Sequence, residues 1–353
     1  AGVIGLAVAA EIANNNLDIF ILEKNESYGR GISSRNSEVI HSGIYYPTNS
    51  LKARLCIEGK KLLYEICEKN NIPYKKTGKL IIATIDSEIQ KVQSLYQNAQ
   101  QNGVTSVQLF GKEDIKKMEP YVYGVSALYS PDTGILSVHH LMDYFLMSAK
   151  KKGAEIVYDT EVIDIEQTKD GYRIATKNKK GELFNFTSAR VINSAGLQSD
   201  TIAKMVGKDY ALNYCKGDYF SINRPVPVKR LVYPVPEERH TGLGIHLTID
   251  LNGRARLGPD VQYIERKEDY RIDKEKIDIF YKGALRYLPF LKKEDLSPDM
   301  SGIRPKLQGP NDSFRDFVIS EDLPGFINLV GIESPGLTAS PAIARYVKKM
   351  LSN

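Results

Sequence analysis

Apolar and polar positions along the chain repeat with two different periods, and the period switches several times. Val3 to Asn14 is rich in Ala, Ile and Leu and predicts a helix. Asp18-Ile19-Phe20-Ile21-Leu22 is an apolar run too short for a helix and predicts a buried strand. Ser50 to Asn71 sets Leu51, Leu55, Leu62 and Ile66 near one face of a long amphipathic helix. Lys79 to Thr84 reads as a strand, and Asp86 to Asn102 as a surface helix with Asp86 at its N-cap. In Ala127 to Val138, Pro131 and Gly134 mark a turn between two short extended pieces. A helix over Leu141 to Lys152 precedes a strand pair within Glu155 to Glu166 and a hairpin turn at Asp170-Gly171. Ala189 to Gly196 reads as a buried strand running into a glycine turn. Lys216 to Gly258, punctuated by Pro and Gly, reads as mostly sheet. Residues 273–288 predict a helix, Phe326 to Val330 a last buried strand, and Ser340 to Leu351 a final helix.

The pieces typical of a nucleotide-binding fold lie at the start, the middle and the end, with extended, tyrosine-bearing pieces between them. At 353 residues the chain exceeds the ~150 expected of one domain. The expected architecture is therefore α/β. A discontinuous Rossmann-like domain, doubly wound, is assembled from 1–75, 139–210 and 309–353. A mixed or antiparallel-sheet cap, which would hold the substrate, comes from 76–138 and 211–308.

Composition narrows the class further. A hydrophobic fraction of 42% with 26% charged residues is an ordinary globular balance, which excludes a disordered chain. No run approaches the ~18 apolar residues of a membrane span, and no charged segment leads into an apolar export signal. A cytoplasmic location is expected, with peripheral contact at the inner membrane left open. The net charge of +5 is carried by scattered lysines, which argues against a nucleic-acid partner and suits a small anionic substrate. Cys56 and Cys67 fall on one predicted helix, roughly 16 Å apart, too far to bridge. No C-x-x-C pair points to a metal or to thiol chemistry.

Ala1-Gly2-Val3-Ile4-Gly5 has the spacing of the tail of G-x-G-x-x-G. In such a loop one glycine lets the backbone approach a pyrophosphate, another lets the following helix pack closely, and the helix N-terminus stabilises the phosphate charge. Glu23, with Lys24 beside it, follows the next strand. A carboxylate there can accept both hydroxyls of an adenosine ribose and disfavours the 2′-phosphate of NADP. These residues do not choose between FAD and NAD. The strand expected before the first glycine is absent from the numbering, so a chain starting literally at Ala1 is expected to lack the central strand of its sheet and to hold the cofactor poorly.

The cofactor is chosen by a resemblance. Ser33-Ser34-Arg35-Asn36-Ser37-Glu38-Val39-Ile40-His41-Ser42-Gly43-Ile44-Tyr45-Tyr46 resembles a segment of the D-amino-acid-oxidase-like FAD superfamily, closest to its L-2-hydroxyglutarate dehydrogenase and oxidase branch. Leu243-Gly244-Ile245-His246-Leu247-Thr248 with Leu257-Gly258-Pro259 resembles the same branch. Gly331-Ile332-Glu333-Ser334-Pro335-Gly336-Leu337-Thr338 resembles its C-terminal FAD loop. The resemblance covers almost the whole chain in order. Gly302 to Pro310 departs from the branch and looks more like other members of the superfamily, which bears on the substrate rather than on the flavin.

The resemblance implies FAD as cofactor, held by Gly2, Gly5, Glu23, Lys24, Arg35, Asn36, Ser37, Val162, Ala195, Gly196, Gly331, Ser334, Pro335, Gly336, Leu337 and Thr338. In it Arg35-Asn36-Ser37 runs beneath the pyrophosphate and flavin, the backbone at Val162 contacts adenine, and Ala195-Gly196 closes against the pyrophosphate. Each of these segments would also serve as an ordinary polar loop, strand end or helix cap.

Of the five histidines, His41 and His246 sit in the family-like motifs, whereas His139, His140 and His240 do not. Either of the first two can take a hydroxyl proton near neutral pH. Arg304 is the expected carboxylate anchor, since a guanidinium can hold a carboxylate bidentately. Lys216 and Tyr233 are expected to be structural or exposed, although both could line the cavity, and Lys306 is a weaker possibility. The expected activity is oxidation of a small anionic 2-hydroxy acid, L-2-hydroxyglutarate to 2-oxoglutarate, with His41, His246 and Arg304 as catalytic residues. An amino-acid or glycerol-3-phosphate flavoenzyme, a nicotinamide-dependent dehydrogenase and a non-catalytic flavin-binding protein stay open at this point. So does the electron acceptor: oxygen, a quinone or a partner protein.

Overall fold

A computed structural model of the chain describes residues 1–235 and 244–352, so His240 and Leu243 lie outside the described residues. The opening helix is Val3–Ile12, and Val3 with the run from Leu6 to Ala10 is buried, so this helix is packed on nearly every side. It lies against helices Val138–Lys151 and Gly336–Leu351. Helix Leu51–Lys69 packs on Gly336–Leu351 at very short range: a Cβ on Gly59 would stand 2.2 Å from the carbonyl oxygen of Thr338. A side chain there would separate the two backbones.

Beside these helices run two parallel pairs, Phe20–Leu22 with Glu155–Val157 and Val191–Asn193 with Phe326–Val330. Strand Val318–Leu323 is added antiparallel to the second pair. Parallel strands need long crossovers, and helices on the faces supply them. An antiparallel meander, Thr160–Thr168, Gly171–Asn178 and Leu183–Ser188, projects from this part.

The second large element is a nine-stranded sheet. Its strands run in the spatial order Gln262–Ile264, Asn213–Ile222, Ala255–Leu257, Leu247–Ile249, Leu231–Pro234, Lys79–Ala83, Ser126–Ser130 and Gln108–Gly111, with Leu296–Lys306 also paired to Asn213–Ile222. All its pairings are antiparallel except Lys79–Ala83 with Leu231–Pro234, which joins two distant parts of the chain. Alternation along Lys79–Ala83 sends Leu80 and Ile82 into one hydrophobic cluster with Phe220 and Val232. Ile81 and Ala83 enter another on the opposite face, with Ile44, Leu128 and Tyr233. Lys79 shares the Ile81 face.

Several expected elements begin elsewhere, among them the helices that start at Val138 rather than Leu141 and at Ile277 rather than 273. Asp86 does not cap the surface helix: Asp86–Glu88 form a 3-10 turn, and the helix proper is Ile89–Gln101. Glu88 folds back to accept the N–H of Thr84 at 2.7 Å. The final helix starts at Gly336 rather than Ser340 and carries Pro341 in its second turn. Among the described residues no helix is long and apolar enough to cross a membrane.

Candidate active site

The glycine turn is tightly enclosed. The N–H of Val3 donates to Ser33 Oγ at 2.9 Å, and a Cβ on Gly2 would meet the same oxygen at 2.9 Å. A Cβ on Gly5 would meet Ser194 Oγ at 2.6 Å. Gly2 and Gly5 therefore face Ser33 and Ser194, which lie just before the two segments read as cofactor-binding, 35–37 and 195–196. Ala195 and Gly196 follow strand Val191–Asn193, and Gly196 holds a left-handed φ of 58°, open to glycine at little cost. Asn193 steadies this strand end by donating to Asn328 Oδ1 and to the Ser199 carbonyl, both at 2.7 Å.

Glu23 closes the adjacent strand end. The backbone N–H and the side-chain amide of Asn25 donate to its Oε1 at 3.0 and 2.6 Å. The N–H of Thr160 donates to the Glu23 carbonyl at 2.9 Å, which sets the start of the Val162 strand beside it. Lys24, next to Glu23, pairs at the surface with Glu268 at 3.3 Å.

Arg35, Asn36 and Ser37 behave differently from one another. The Arg35 guanidinium stacks on the Tyr270 ring at 4.2 Å, while its buried Nε has no hydrogen-bond partner. The Asn36 amide stabilises its own loop, donating to the Ser33 carbonyl at 2.7 Å and accepting from the Glu38 N–H at 2.8 Å. Ser37 Oγ meets Tyr219 Oη at 2.9 Å, so the loop is tied to the large sheet.

His41 sits where the loop, the last helix and the sheet converge. Its N–H donates to Thr338 Oγ1 at 2.9 Å, and its Nε2 lies 3.4 Å from Ser334 Oγ. Its Nδ1 is buried without a partner. Burial, reinforced by the charge of Lys79, lowers the imidazole pKa to about 3, so the ring is neutral at physiological pH. Gly331 turns the chain with φ 70°, and Gly336, Leu337 and Thr338 form the first turn of the helix that Pro335 caps, with the Gly336 N–H donating to the Glu333 carbonyl at 2.5 Å.

On the sheet side, Tyr233 and His246 stack at 3.5 Å with their planes within 11°. Arg304, opposite Cys215 in the strand pairing, donates through Nε to the Cys215 carbonyl at 3.3 Å. Its Nη2 donates to the carbonyls of Lys216 at 3.4 Å and Asp260 at 2.9 Å. These bonds fix the guanidinium and leave Nη1 without a partner among the described residues. Lys216 is buried and structural: its Nζ donates to the Arg271 carbonyl and faces Asp218 at 3.7 Å. Lys306 lies 3.8 Å from Glu333.

Three contributors were not singled out as site residues in the sequence. Ser33 anchors the glycine turn, Lys52 pairs with Glu333 at 3.0 Å beneath the C-terminal loop, and Lys79 is buried beside Tyr45 and Tyr233. Only the family-like segments on either side pointed to their neighbourhood.

The residues present fit FAD. Two glycines sit where side chains would collide, a helix N-terminus faces the loop, and buried polar atoms of Arg35 and His41 lack partners within the chain. Family comparison agrees over the whole length: the profile of DAO, FAD dependent oxidoreductase, matches residues 1–350. The chain is 40% identical to L-2-hydroxyglutarate dehydrogenase, mitochondrial, of Arabidopsis thaliana, over 98% of this chain and 81% of that protein. It is 39% identical to the Mus musculus protein of that name, over 76% and 61%. A glycerol 3-phosphate dehydrogenase of Caloramator mitchellensis is 31% identical over 100% of this chain and 72% of its own length. The chain thus spans about three fifths to four fifths of these relatives. Among solved structures, the FAD-bound L-alpha-glycerophosphate oxidase of Mycoplasma pneumoniae superposes with a TM-score of 0.89 at 27% identity, covering 100% of this chain and 93% of that one. Glycine oxidase of Geobacillus kaustophilus shares the fold at TM-score 0.83 and 21% identity, over 99% and 92% of the two chains. The chain belongs to the DAO family of FAD-dependent oxidoreductases.

Proposed function

We propose that this enzyme oxidises the L-2-hydroxy acid L-2-hydroxyglutarate to 2-oxoglutarate. The observation that carries the reading is the 40% match, over 98% of the chain, to a protein named for that reaction. When bound, FAD accepts the two electrons released as the substrate's C–OH carbon becomes a carbonyl. In this reading Gly2, Gly5, Glu23, Lys24, Val162, Ala195 and Gly196 hold the adenosine and pyrophosphate end. Arg35, Asn36, Ser37, Gly331, Ser334, Pro335, Gly336, Leu337 and Thr338 line the flavin end. The division into 1–75, 139–210 and 309–353 against 76–138 and 211–308 is part of the same proposal, supported by the separate hydrophobic clusters of helices and large sheet.

His41 is the proton acceptor we favour. Its ring is neutral, its Nδ1 has no partner within the chain, and Ser334 sits near Nε2. With a pKa of about 3 the ligand-free imidazole is a weak base. It takes the hydroxyl proton only once the charge of an anionic substrate offsets Lys79 and raises that value. His246, stacked on Tyr233, forms the opposite wall. Arg304 presents Nη1 to one carboxylate while its other nitrogens hold the side chain in place.

Glycerol 3-phosphate is the second reading, favoured by the full-length match to the Caloramator mitchellensis enzyme. Anaerobic mixing of the holoenzyme with 2-hydroxy acids, amino acids and glycerol 3-phosphate separates the two. We expect L-2-hydroxyglutarate to bleach the flavin fastest; faster bleaching by glycerol 3-phosphate overturns the assignment.

A further inference from the structure

Four lysines of the chain are buried: Lys52, Lys60, Lys79 and Lys216. A buried ammonium ordinarily has a carboxylate beside it, because its charge is costly to remove from water. Lys52 has Glu333 at 3.0 Å, Lys60 has Asp132 at 3.1 Å, and Lys216 has Asp218 at 3.7 Å. Lys79 is 1% exposed, yet its Nζ makes no hydrogen bond or ion pair among the described residues. Among the described residues it stands over two aromatic faces, Tyr45 at 4.8 Å and Tyr233 at 4.5 Å from the ring centroids, and the Cys56 thiol also acts on it electrostatically. Those rings stabilise a cation without neutralising it.

The position of this charge relates it to the site. Tyr233, one of the two rings, stacks on His246, and the ammonium acts electrostatically on His41. Arg304, the other cation, acts on Tyr219, and the hydroxyls of Tyr219 and Tyr233 influence each other. Lys79 and Arg304 are thus linked electrostatically through Tyr233 and Tyr219. Burial lowers the ammonium pKa to about 7, the response expected of a desolvated cation with no carboxylate beside it.

We infer that Lys79 anchors a second anionic group of the substrate, the distal carboxylate of a dicarboxylic 2-hydroxy acid whose first carboxylate Arg304 holds, and so selects dianions over monoanions. This rests on the proposed oxidation of L-2-hydroxyglutarate. A monocarboxylate leaves the buried ammonium uncompensated, whereas a dicarboxylate of the right length neutralises it.

The test compares kcat/KM of the holoenzyme for L-2-hydroxyglutarate and for L-2-hydroxyvalerate, which lacks the distal carboxylate. Lys79→Met should collapse the preference for the dicarboxylate by ~100-fold, chiefly through KM, as expected when one partner of a buried charge pair is removed. Lys79→Arg, which keeps the charge, should retain part of it. For the wild type, kcat/KM for the dicarboxylate should fall as pH rises through about 7, and in Lys79→Met that fall should disappear. Flavin content, read from the visible spectrum, separates misfolding from lost selectivity. An unchanged preference in flavin-loaded Lys79→Met overturns the inference, as does an equal loss on both acids. If the wild type oxidises glycerol 3-phosphate instead, the proposed function fails. In that case a collapse of the preference for glycerol 3-phosphate over glycerol in Lys79→Met would show Lys79 holding the substrate's single anionic group, which also overturns the inference. A wild type that oxidises monoanions as fast as dianions also overturns the inference.

Discussion

The backbone N–H of His41 donates to Thr338 Oγ1 at 2.9 Å, across 297 positions of sequence, and that hydroxyl donates in turn to the Val39 carbonyl at 3.3 Å. One buried side chain on the first turn of the last helix therefore positions the histidine loop.

Thr338→Val keeps the shape and removes both hydrogen bonds. Leaving a buried N–H unsatisfied costs ~1–3 kcal/mol. We expect a lower Tm, measured by thermal melting of the holoenzyme, together with weaker flavin retention on dilution. An unchanged Tm and flavin content would show that the loop is fixed by other contacts.

Gly59→Ala tests the helix contact behind the same site. The new methyl would stand 2.2 Å from the Thr338 carbonyl oxygen and 2.8 Å from the Ala339 Cα, both backbone atoms that cannot turn aside. Overpacking of this kind costs ~1–3 kcal/mol. Denaturant melts should show that loss, and displacement of Thr338 should reduce turnover as well.

These two contacts mark what was legible in the chain. Helix Leu51–Lys69 follows from the spacing of Leu55 and Leu62, and strand Phe326–Val330 from its apolar run. Both are local signals. The last helix starts four residues before the expected Ser340, so that Pro341 lies inside it. Asp86 has the chemistry of a cap, but Glu88 takes over the local hydrogen bonds. The His41 and Ser334 segments were recognisable as family motifs. Lys79 was not, because its character depends on Tyr45 and Tyr233, brought to it by loop folding and a long-range parallel strand pairing. As a sequence element it is simply the first residue of a strand.

Lys79 also makes a pH-dependent contribution to the stability of the ligand-free protein. Its folded pKa is depressed from 10.5 to about 7 by burial. Between those values the unfolded chain binds more protons than the folded one, so this group favours folding increasingly as pH rises across the window. Below about pH 7 both states are protonated and the full burial cost remains. Lys79→Met should therefore raise Tm most at pH 6.5, by a few degrees, and by less at pH 9.5. A constant difference across that range would contradict the assigned shift.

Arg304→Ala should raise KM for L-2-hydroxyglutarate by ~100-fold, the effect of losing a charge-assisted carboxylate contact, with FAD affinity within ~3-fold of wild type. Because Nε and Nη2 also hold the carbonyls of Cys215, Lys216 and Asp260, melting curves must accompany the kinetics. An equal loss of substrate and flavin binding would count against Arg304 as the substrate anchor.

The most direct measurement is an anaerobic titration of the purified holoenzyme with L-2-hydroxyglutarate, following the flavin spectrum and assaying 2-oxoglutarate in the same samples. We expect one equivalent of the acid to reduce one equivalent of FAD and to yield one equivalent of 2-oxoglutarate. A fully flavin-loaded protein that stays oxidised in excess L-2-hydroxyglutarate would contradict the proposed reaction.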